Sequence, residues 1–211
     1  MDRKAIKAKA KEFAFKNKWN IWKPLLAYLL ISALAGAVVG VIVAVLGQEP
    51  DGSLSQMLQY VVEFAILPMS IGCTAYVMNL LKGKTMSVKE ALFSKYSAFA
   101  LIIGVSIVVS LMTFVWALLL IIPGIIYAYK MAMVNYILAD EECGKLSWRE
   151  VMDRSEKLMN GHKMDLFVFE LSFIGWALLS IVTLGIGLIW FMPYVEVATI
   201  MYYEELKKIA K

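Results

Sequence analysis

Long stretches without a charged residue constrain the fold of this chain more than any other feature of its sequence. Residues 24–48, 96–129 and 171–195 contain 25, 34 and 25 consecutive uncharged residues, most of which are apolar. A helix needs roughly 20 apolar residues to cross a hydrocarbon core of about 30 Å. The whole chain is 61% hydrophobic and 18% charged, whereas soluble domains contain about 25% charged residues. These features predict an all-α integral membrane protein.

Turn residues divide these three stretches into five spans, and a further apolar stretch over about 60–81, with Glu63 near one end, brings the total to six transmembrane helices in three hairpins. One helix over 96–129 would be about 51 Å long, which exceeds a single crossing, and Pro123-Gly124 provides a break. Gly185-Ile186-Gly187 interrupts the stretch 171–195 in the same way. We predict one membrane domain over 1–211, with spans at about 25–46, 60–81, 97–121, 125–139, 166–182 and 188–203.

The placement of lysine and arginine predicts the orientation of the spans. Of the 21 basic residues, 20 lie before the first span, after the sixth span, or in the connections on that same side. The connections on the opposite side contain none, and the first of them contains only the acids Glu49 and Asp51. Because basic segments are retained in the cytoplasm, both termini are predicted to be cytoplasmic.

Two short segments between the hairpins carry the same helix-start signal. Ser87 and Ser147 are each followed three residues later by a glutamate, Glu90 and Glu150. In this capping box the serine hydroxyl accepts a hydrogen bond from the third helical N–H, and the glutamate accepts one from the serine N–H. The pattern predicts two cytoplasmic amphipathic helices, over about 87–95 and 147–160.

The chain also has features of an internal repeat. Each capping box is followed by an apolar hairpin that ends in paired acids, Glu141-Glu142 and Glu204-Glu205, and corresponding positions lie 60 to 63 residues apart. Residues 1–23 would then begin a third unit. One interpretation is a set of parallel units related by an axis along the membrane normal. The other is that short membrane hairpins share this design without being repeats.

The first 23 residues are predicted to form a basic helix on the inner membrane surface. Lysines near an anionic leaflet each gain about 1 kcal/mol, and aromatic rings favour the interface. The helix would anchor the topology or, alternatively, dock a cytoplasmic partner. The side chains expected to contact the phospholipid bilayer, and its anionic inner-leaflet lipids in particular, are Lys7, Lys11, Lys16, Trp19 and Trp22.

Small residues recur at every fourth position of the first span. They are Ser32, Gly36, Gly40 and Ala44. Small residues at this spacing let two membrane helices approach closely. The stripe therefore predicts either helix packing within the chain or the seam of a homo-oligomer.

A few charged residues fall inside the predicted spans. Lys130 and Glu196 are expected near the middle of the membrane, where an isolated charge costs about 3 kcal/mol or more. We predict that Lys130 pairs with Glu196 or, alternatively, with Glu63 or Glu170. Such a group either forms a transport or substrate site or is a structural ion pair, and the lysine could also extend to the membrane surface.

Residues that could support catalysis or bind a metal are few. His162 is the only histidine, and with Asp165 it is predicted to hold a cytoplasmic loop at the membrane surface. Cys73 and Cys143 are expected at different depths and so not to form a disulfide. The sequence contains no Walker loop, HExxH, GxSxG or CxxC motif. We therefore expect no enzyme activity, metal or cofactor, and the dispersed basic charge does not indicate nucleic acid binding.

Several segments in the second half of the chain carry a family resemblance. They are residues 120–129 (LIIPGIIYAY), 136–140 (YILAD), 155–162 (SEKLMNGH), 171–176 (LSFIGW), 183–187 (TLGIG), 193–194 (PY) and 203–204 (YE). With these motifs nearly the whole chain resembles a family of small multi-span membrane proteins, a domain of unknown function common in Gram-positive gut bacteria. More distantly, it is similar to the membrane domains of some glycerophosphodiesterases, which share the Pro-Gly turn and the Gly-His pair. The resemblance implies a multi-pass protein of the bacterial cytoplasmic membrane, without phosphodiesterase chemistry.

Two classes of function are compatible with these features. The first is a non-enzymatic membrane protein that binds or scaffolds lipid, a peptide or a membrane partner, in envelope stress or tolerance of membrane-active peptides. The second is a small transporter or channel, as a monomer or an oligomer, that uses Lys130 and the intramembrane acids. A water-filled cavity that reaches Lys130 would favour transport, and an apolar lateral groove would favour binding. A carboxylate–histidine cluster at the inner surface would favour the third class, a lipid-modifying enzyme.

Overall fold

The computed structural model describes residues 2–49, 52–140 and 145–210, and every regular element in these ranges is helical. The helices are α1 (Arg3–Val45), α2 (Ser53–Leu81), α3 (Val88–Phe93), α4 (Phe99–Leu119), α5 (Ile121–Lys130), α6 (Val134–Ala139), α7 (Trp148–Met159), α8 (Lys163–Leu171), α9 (Ile174–Val182) and α10 (Leu188–Ile209). A 3₁₀ segment, Ser94–Ala98, joins α3 to α4. Four residues named in the sequence predictions lie outside the described residues: Asp51, Glu141, Glu142 and Cys143.

Five helical segments in the described residues are long and apolar enough to cross a membrane. They are Arg3–Val45, Ser53–Leu81, Val88–Leu119, Ile121–Ala139 and Lys163–Val182. These segments contain the first five predicted spans almost completely. The sixth predicted span lies in α10, which is not among the five and carries three acids and two lysines within its 22 residues. The structure is therefore that of a helical protein with several helices suited to a membrane.

The basic N-terminal segment and the first predicted span form one continuous helix. Helix α1 has 43 residues and continues through Pro24. Its start is capped by Asp2, whose carboxylate accepts hydrogen bonds from the N–H groups of Lys4 and Ala5 at 3.0 and 3.1 Å. Ala10 and Ala14 are completely buried, because α1 packs along α10 and α2. Residues 3–23 are thus part of the helix bundle and not a separate surface helix.

Both predicted capping boxes are present. The N–H of Ser87 donates to the Glu90 carboxylate at 2.8 Å, and the Ser87 hydroxyl accepts from the Glu90 N–H at 3.1 Å. The N–H of Ser147 donates to the Glu150 carboxylate at 2.6 Å, while its hydroxyl accepts from a backbone N–H at 3.3 Å. These contacts start α3 and α7 within one residue of the predicted positions.

The turn between α4 and α5 lies three residues before the predicted Pro123-Gly124 turn. The chain reverses at Leu120, which has an extended backbone with φ −157° and ψ 133°. Pro123 lies in the first turn of α5, where an N–H is not needed for helix formation. A Cβ atom on Gly124 would lie 2.7 Å from the Cα of Ala117. Glycine at this position therefore allows α5 to fold back closely onto α4.

Replacing Gly124 with alanine should separate α5 from α4. Because a close backbone contact must open, we expect a loss of about 1 to 3 kcal/mol in unfolding free energy, measured by unfolding in mild detergent. Gly104→Ala in α4 is the matched control, since a Cβ there meets nothing within 4 Å. The control should be neutral or slightly stabilising. Equal stability of the two variants would contradict the close contact.

The buried core lies in the half of the bundle that carries many of the lysines. We call this half the basic end and define it by Lys7, Lys82, Lys95 and Lys207. Its core is formed by α6 and the C-terminal halves of α2 and α10, which pack against α1, α3 and α7. In the other half, large apolar side chains of α1, α4, α5 and α9 are exposed. Helices that are apolar on all sides in this way are typical of membrane spans.

Candidate functional site

A cavity of about 400 Å³ lies between α1, α2 and α10. Its apolar lining comes from all three helices: Ile21, Leu25, Val77, Phe191, Met192, Pro193 and Val195. Its remaining lining residues carry polar atoms: Tyr28, Ser70, Cys73, Thr74 and Glu196. A mostly apolar cavity with a few convergent polar groups is the usual form of a small-molecule binding site.

Each of the three helices around the cavity contains an internal proline. These are Pro24 in α1, Pro68 in α2 and Pro193 in α10, and all three are buried. A proline inside a helix lacks an N–H, clashes with the preceding turn and bends the helix. We interpret the cavity as the space that remains because these three helices cannot pack as straight rods along one another.

The carbonyl that Pro193 leaves without a helical partner is satisfied by α1. The missing N–H of Pro193 would have donated to the carbonyl of Ile189, and the indole N–H of Trp22 donates to that oxygen at 2.9 Å. The indole of Trp22 thus lies beside the first turns of α10. Its predicted contact with inner-leaflet lipid stays a prediction.

This hydrogen bond predicts coupling between Trp22 and Pro193. Replacing Trp22 with phenylalanine leaves a carbonyl unsatisfied in an apolar environment, so we expect a loss of about 1 to 3 kcal/mol in unfolding free energy. In a Pro193→Ala background the helix itself supplies the missing N–H, and the loss should shrink by about 1 kcal/mol or more. A double-mutant cycle in detergent measures this difference, and strict additivity of the two changes would contradict the proposed compensation.

Glu196 does not pair with Lys130, contrary to the sequence prediction. One oxygen of Glu196 accepts a hydrogen bond from the Thr74 hydroxyl at 2.9 Å. The ammonium of Lys130 lies 2.8 Å from the carboxylate of Glu156 in α7, and the Ser155 hydroxyl donates to the Lys130 carbonyl at 2.9 Å. Because α5 ends at Lys130 and packs against α7, the lysine lies beside α7 and does not face α10.

The two alternative partners predicted for Lys130 are also wrong. Glu170 accepts a hydrogen bond from the Tyr129 hydroxyl at 2.6 Å, and Glu63 is exposed on α2. Glu170 lines a second cavity of about 300 Å³, which α10 borders together with α6 and α8. This second cavity shares two lining residues, Phe191 and Val195, with the first. Lys130 lines neither of them.

The sequence analysis did not single out Asp140, which joins three helices at the basic end. We call this group the Asp140 cluster: Lys82, Lys95, Asp140, Tyr203 and Lys207. The Asp140 carboxylate lies 3.4 Å from the Lys82 ammonium, contacts the Lys207 ammonium and accepts from the Tyr203 hydroxyl at 3.3 Å. Lys95 donates to the Asp140 carbonyl at 2.8 Å. The cluster ties the ends of α2, α6 and α10. Its sequence signal was a charged residue directly after the apolar segments of α2 and α6, Lys82 and Asp140.

Two lysines predicted to contact lipid also make contacts within the described chain. Lys7 donates to the Ser172 hydroxyl at 2.8 Å. The ammonium of Lys11 lies 5.5 Å from the ring centre of Trp176, within cation–π distance. Lys11, Lys16 and Trp19 are exposed, and the contact of this set with lipid stays a prediction.

His162 and Asp165 form the predicted loop pair at the basic end. The His162 Nδ1 atom lies 3.3 Å from one Asp165 oxygen, and the guanidinium of Arg3 lies 3.4 Å from the other. The ion pair between Arg3 and Asp165 therefore connects α1 to the start of α8. Among the described residues, no group of three or more His, Cys, Asp or Glu side chains could hold a metal ion.

The small-residue stripe of α1 does not pack closely inside the described chain. A Cβ atom on Gly36 or Gly40 would meet nothing within 4 Å, and Ala44 is exposed. Packing within the chain, one of the two interpretations of this stripe, is therefore not found at the two glycines.

Comparison with known proteins places the second half of this fold in a family. A family model described as "Protein of unknown function (DUF975)" matches residues 97–210, which is more than half of the 211-residue chain. The match contains α4 to α10, and so includes Asp140, Pro193 and Glu196. No curated protein and no solved structure matches the chain. The more distant likeness to glycerophosphodiesterases thus stays a prediction, and the chain belongs to the DUF975 family.

Proposed function

We propose that this chain is a non-enzymatic membrane protein that binds a lipid-like molecule in the cavity between α1, α2 and α10. The observation that carries the proposal is the apolar lining of this cavity with one carboxylate, Glu196, set among three small polar side chains. Such a lining favours a ligand with an apolar chain and a polar group that the side chains can orient. A role in envelope stress or in tolerance of membrane-active peptides fits a protein that binds such molecules.

We further propose that α10 is a sixth span and that the basic end faces the bacterial cytoplasm. The apolar half of the bundle would then lie in the hydrocarbon region, where its exposed side chains contact lipid tails. The cavity would lie beside the basic end of the bundle, since Val77 and Glu196 adjoin the buried core. This orientation is supported by the concentration of lysines at one end of the helices.

Protection of Cys73 tests ligand binding, because its thiol lines the cavity. In a Cys143→Ser background within phosphatidylcholine nanodiscs, methyl methanethiosulfonate should label Cys73, and a twelve-carbon amphiphile without net charge should slow the labelling several-fold. The probe is dodecyldimethylamine oxide below its micellar concentration. The matched control carries Cys73→Ser, Cys143→Ser and Gly40→Cys, with its thiol on the open face of α1. Equal slowing in both proteins, or none in either, would overturn the proposal.

Transport is the second candidate, and one observation favours it. The two cavities are neighbours that share Phe191 and Val195 of α10, with Glu196 in one and Glu170 in the other. An intramembrane path would need to pass these shared side chains. If the protein transports, proteoliposomes should move a cationic substrate, and Glu196→Gln and Glu170→Gln should each reduce the flux. Flux that equals that of empty liposomes would exclude this alternative.

A further inference from the structure

We propose that the cavity between α1, α2 and α10 selects a single-chain amphiphile with a positively charged headgroup, and that Glu196 is its counter-ion. The inference rests on the proposed function, because it names the class of ligand that the same cavity takes. It depends on three features of the cavity: its charge, its aromatic rings and its volume.

The lining of the cavity contains one carboxyl group and no basic side chain. Glu196 is the one charged side chain among the described lining residues. One oxygen of Glu196 accepts a hydrogen bond from the Thr74 hydroxyl at 2.9 Å. The other oxygen has no hydrogen-bond partner among the described side chains. A carboxylate in apolar surroundings is stable only with a compensating charge or solvation. A cationic headgroup would supply that charge where the lining does not.

No lysine or arginine lines the cavity, and three lysines of the bundle are engaged at other sites. Lys130 pairs with Glu156, and both Lys82 and Lys207 pair with Asp140. The charge complementarity of the cavity is therefore directed at a molecule from outside the described chain.

Two aromatic rings support the same ligand class. Tyr28 and Phe191 line the cavity together with Glu196. Ammonium groups bind to aromatic faces by cation–π attraction, and quaternary ammonium ligands are recognised by such rings. A carboxylate and two rings in one apolar cavity are the groups that a substituted ammonium headgroup would require.

The volume favours a single chain over a peptide helix. One turn of an α-helix is about 5.4 Å long and 10 Å across, which corresponds to roughly 400 Å³. The cavity has about this volume, so it could hold only one turn of a helix. A single-chain amphiphile is thin enough to place its headgroup at Glu196 and its chain along the apolar lining.

Two amphiphiles of equal chain length test the charge preference. Dodecyltrimethylammonium carries a permanent positive charge, whereas dodecyldimethylamine oxide has a headgroup of similar size and no net charge at pH 8. Calorimetric titration of the protein in phosphatidylcholine nanodiscs, with empty nanodiscs as the blank, gives the affinity for each. We expect the cation to bind about tenfold or more tightly than the oxide, the usual size of a charged hydrogen bond or ion pair in such a site.

Glu196→Gln should remove the preference, so that this variant binds the cation no more tightly than it binds the oxide. Glu170→Gln is the matched control, because that carboxylate lines the second cavity, and it should keep the preference. If Glu196→Gln does not fold, Tyr28→Leu is tested in its place. This variant should lower the affinity for the cation severalfold and change the affinity for the oxide less. Equal affinity for the two amphiphiles would overturn this inference but leave the proposed function intact. If neither amphiphile binds, this inference and the proposed function are both overturned. If a basic amphipathic peptide binds more tightly than the cation, the assignment of a single-chain ligand is overturned.

Discussion

Replacing Gly72 with alanine is expected to be the most disruptive single-methyl change in this protein. A Cβ atom at this position of α2 would lie 1.8 Å from the carbonyl oxygen of Ala91 and 3.0 Å from its carbonyl carbon. Because the obstacle is backbone and not a flexible side chain, α3 would have to move away from α2. We expect a loss of about 3 kcal/mol or more in unfolding free energy, at the upper end for an overpacked core.

Gly36→Ala is the control for this prediction. It adds the same methyl group to a membrane helix, but the new Cβ would meet nothing within 4 Å. The measurement is the midpoint of unfolding in mild detergent, together with the yield of folded protein. If Gly72→Ala is as stable as Gly36→Ala, the close approach of α3 to α2 does not exist in the protein.

Replacing Asp140 with alanine is expected to produce the second large effect. The carboxylate is only 13% exposed and contacts both Lys82 and Lys207, which are about one third exposed. Its removal takes away the carboxylate that both lysines share at the junction of α2, α6 and α10, although Lys82 keeps Glu204 at 3.7 Å. Loss of one partner of a buried pair costs about 3 to 5 kcal/mol, and partial exposure of the lysines reduces this to roughly 2 to 4.

Glu205→Ala provides the matched control for Asp140. Glu205 pairs with Lys208 at 2.9 Å, but these side chains are 40% and 72% exposed. Exposed pairs contribute about 1 kcal/mol or less, so the control should unfold almost like the parent. Losses of similar size in the two variants would show that the Asp140 cluster does not hold the three helices together.

Helix positions could be predicted well because they depend on local sequence. Apolar length predicted the five helical segments that are long enough to cross a membrane, and the serine–glutamate pairs at Ser87 and Ser147 predicted the starts of α3 and α7. Both signals act within a few residues of one another, through apolar length or through a cap. The continuity of α1 was not predicted, because Pro24 is a breaker in sequence yet is tolerated within this helix.

The contacts between helices could not be predicted in the same way. The depth of Lys130 in the membrane was inferred from a turn predicted at Pro123-Gly124. The turn lies at Leu120 instead, and the ammonium of Lys130 pairs with Glu156. Gly72 looks like any other glycine of a membrane helix until α3 is placed against it. Likewise, the role of Trp22 appears only when α10 supplies a carbonyl without a partner. Each of these contacts depends on distant segments that a single sequence does not bring together.

Covalent labelling by a lipid analogue tests ligand binding in the cavity most directly. A single-chain amphiphile with a diazirine in its chain would be added to the protein in phosphatidylcholine nanodiscs, photolysed and mapped by peptide mass spectrometry. We predict labelling of peptides that contain residues 21–28, 70–77 and 191–196, and competition by an excess of the unlabelled amphiphile. Labelling confined to the exposed apolar residues of α4 and α9, without competition, would contradict a binding site between α1, α2 and α10.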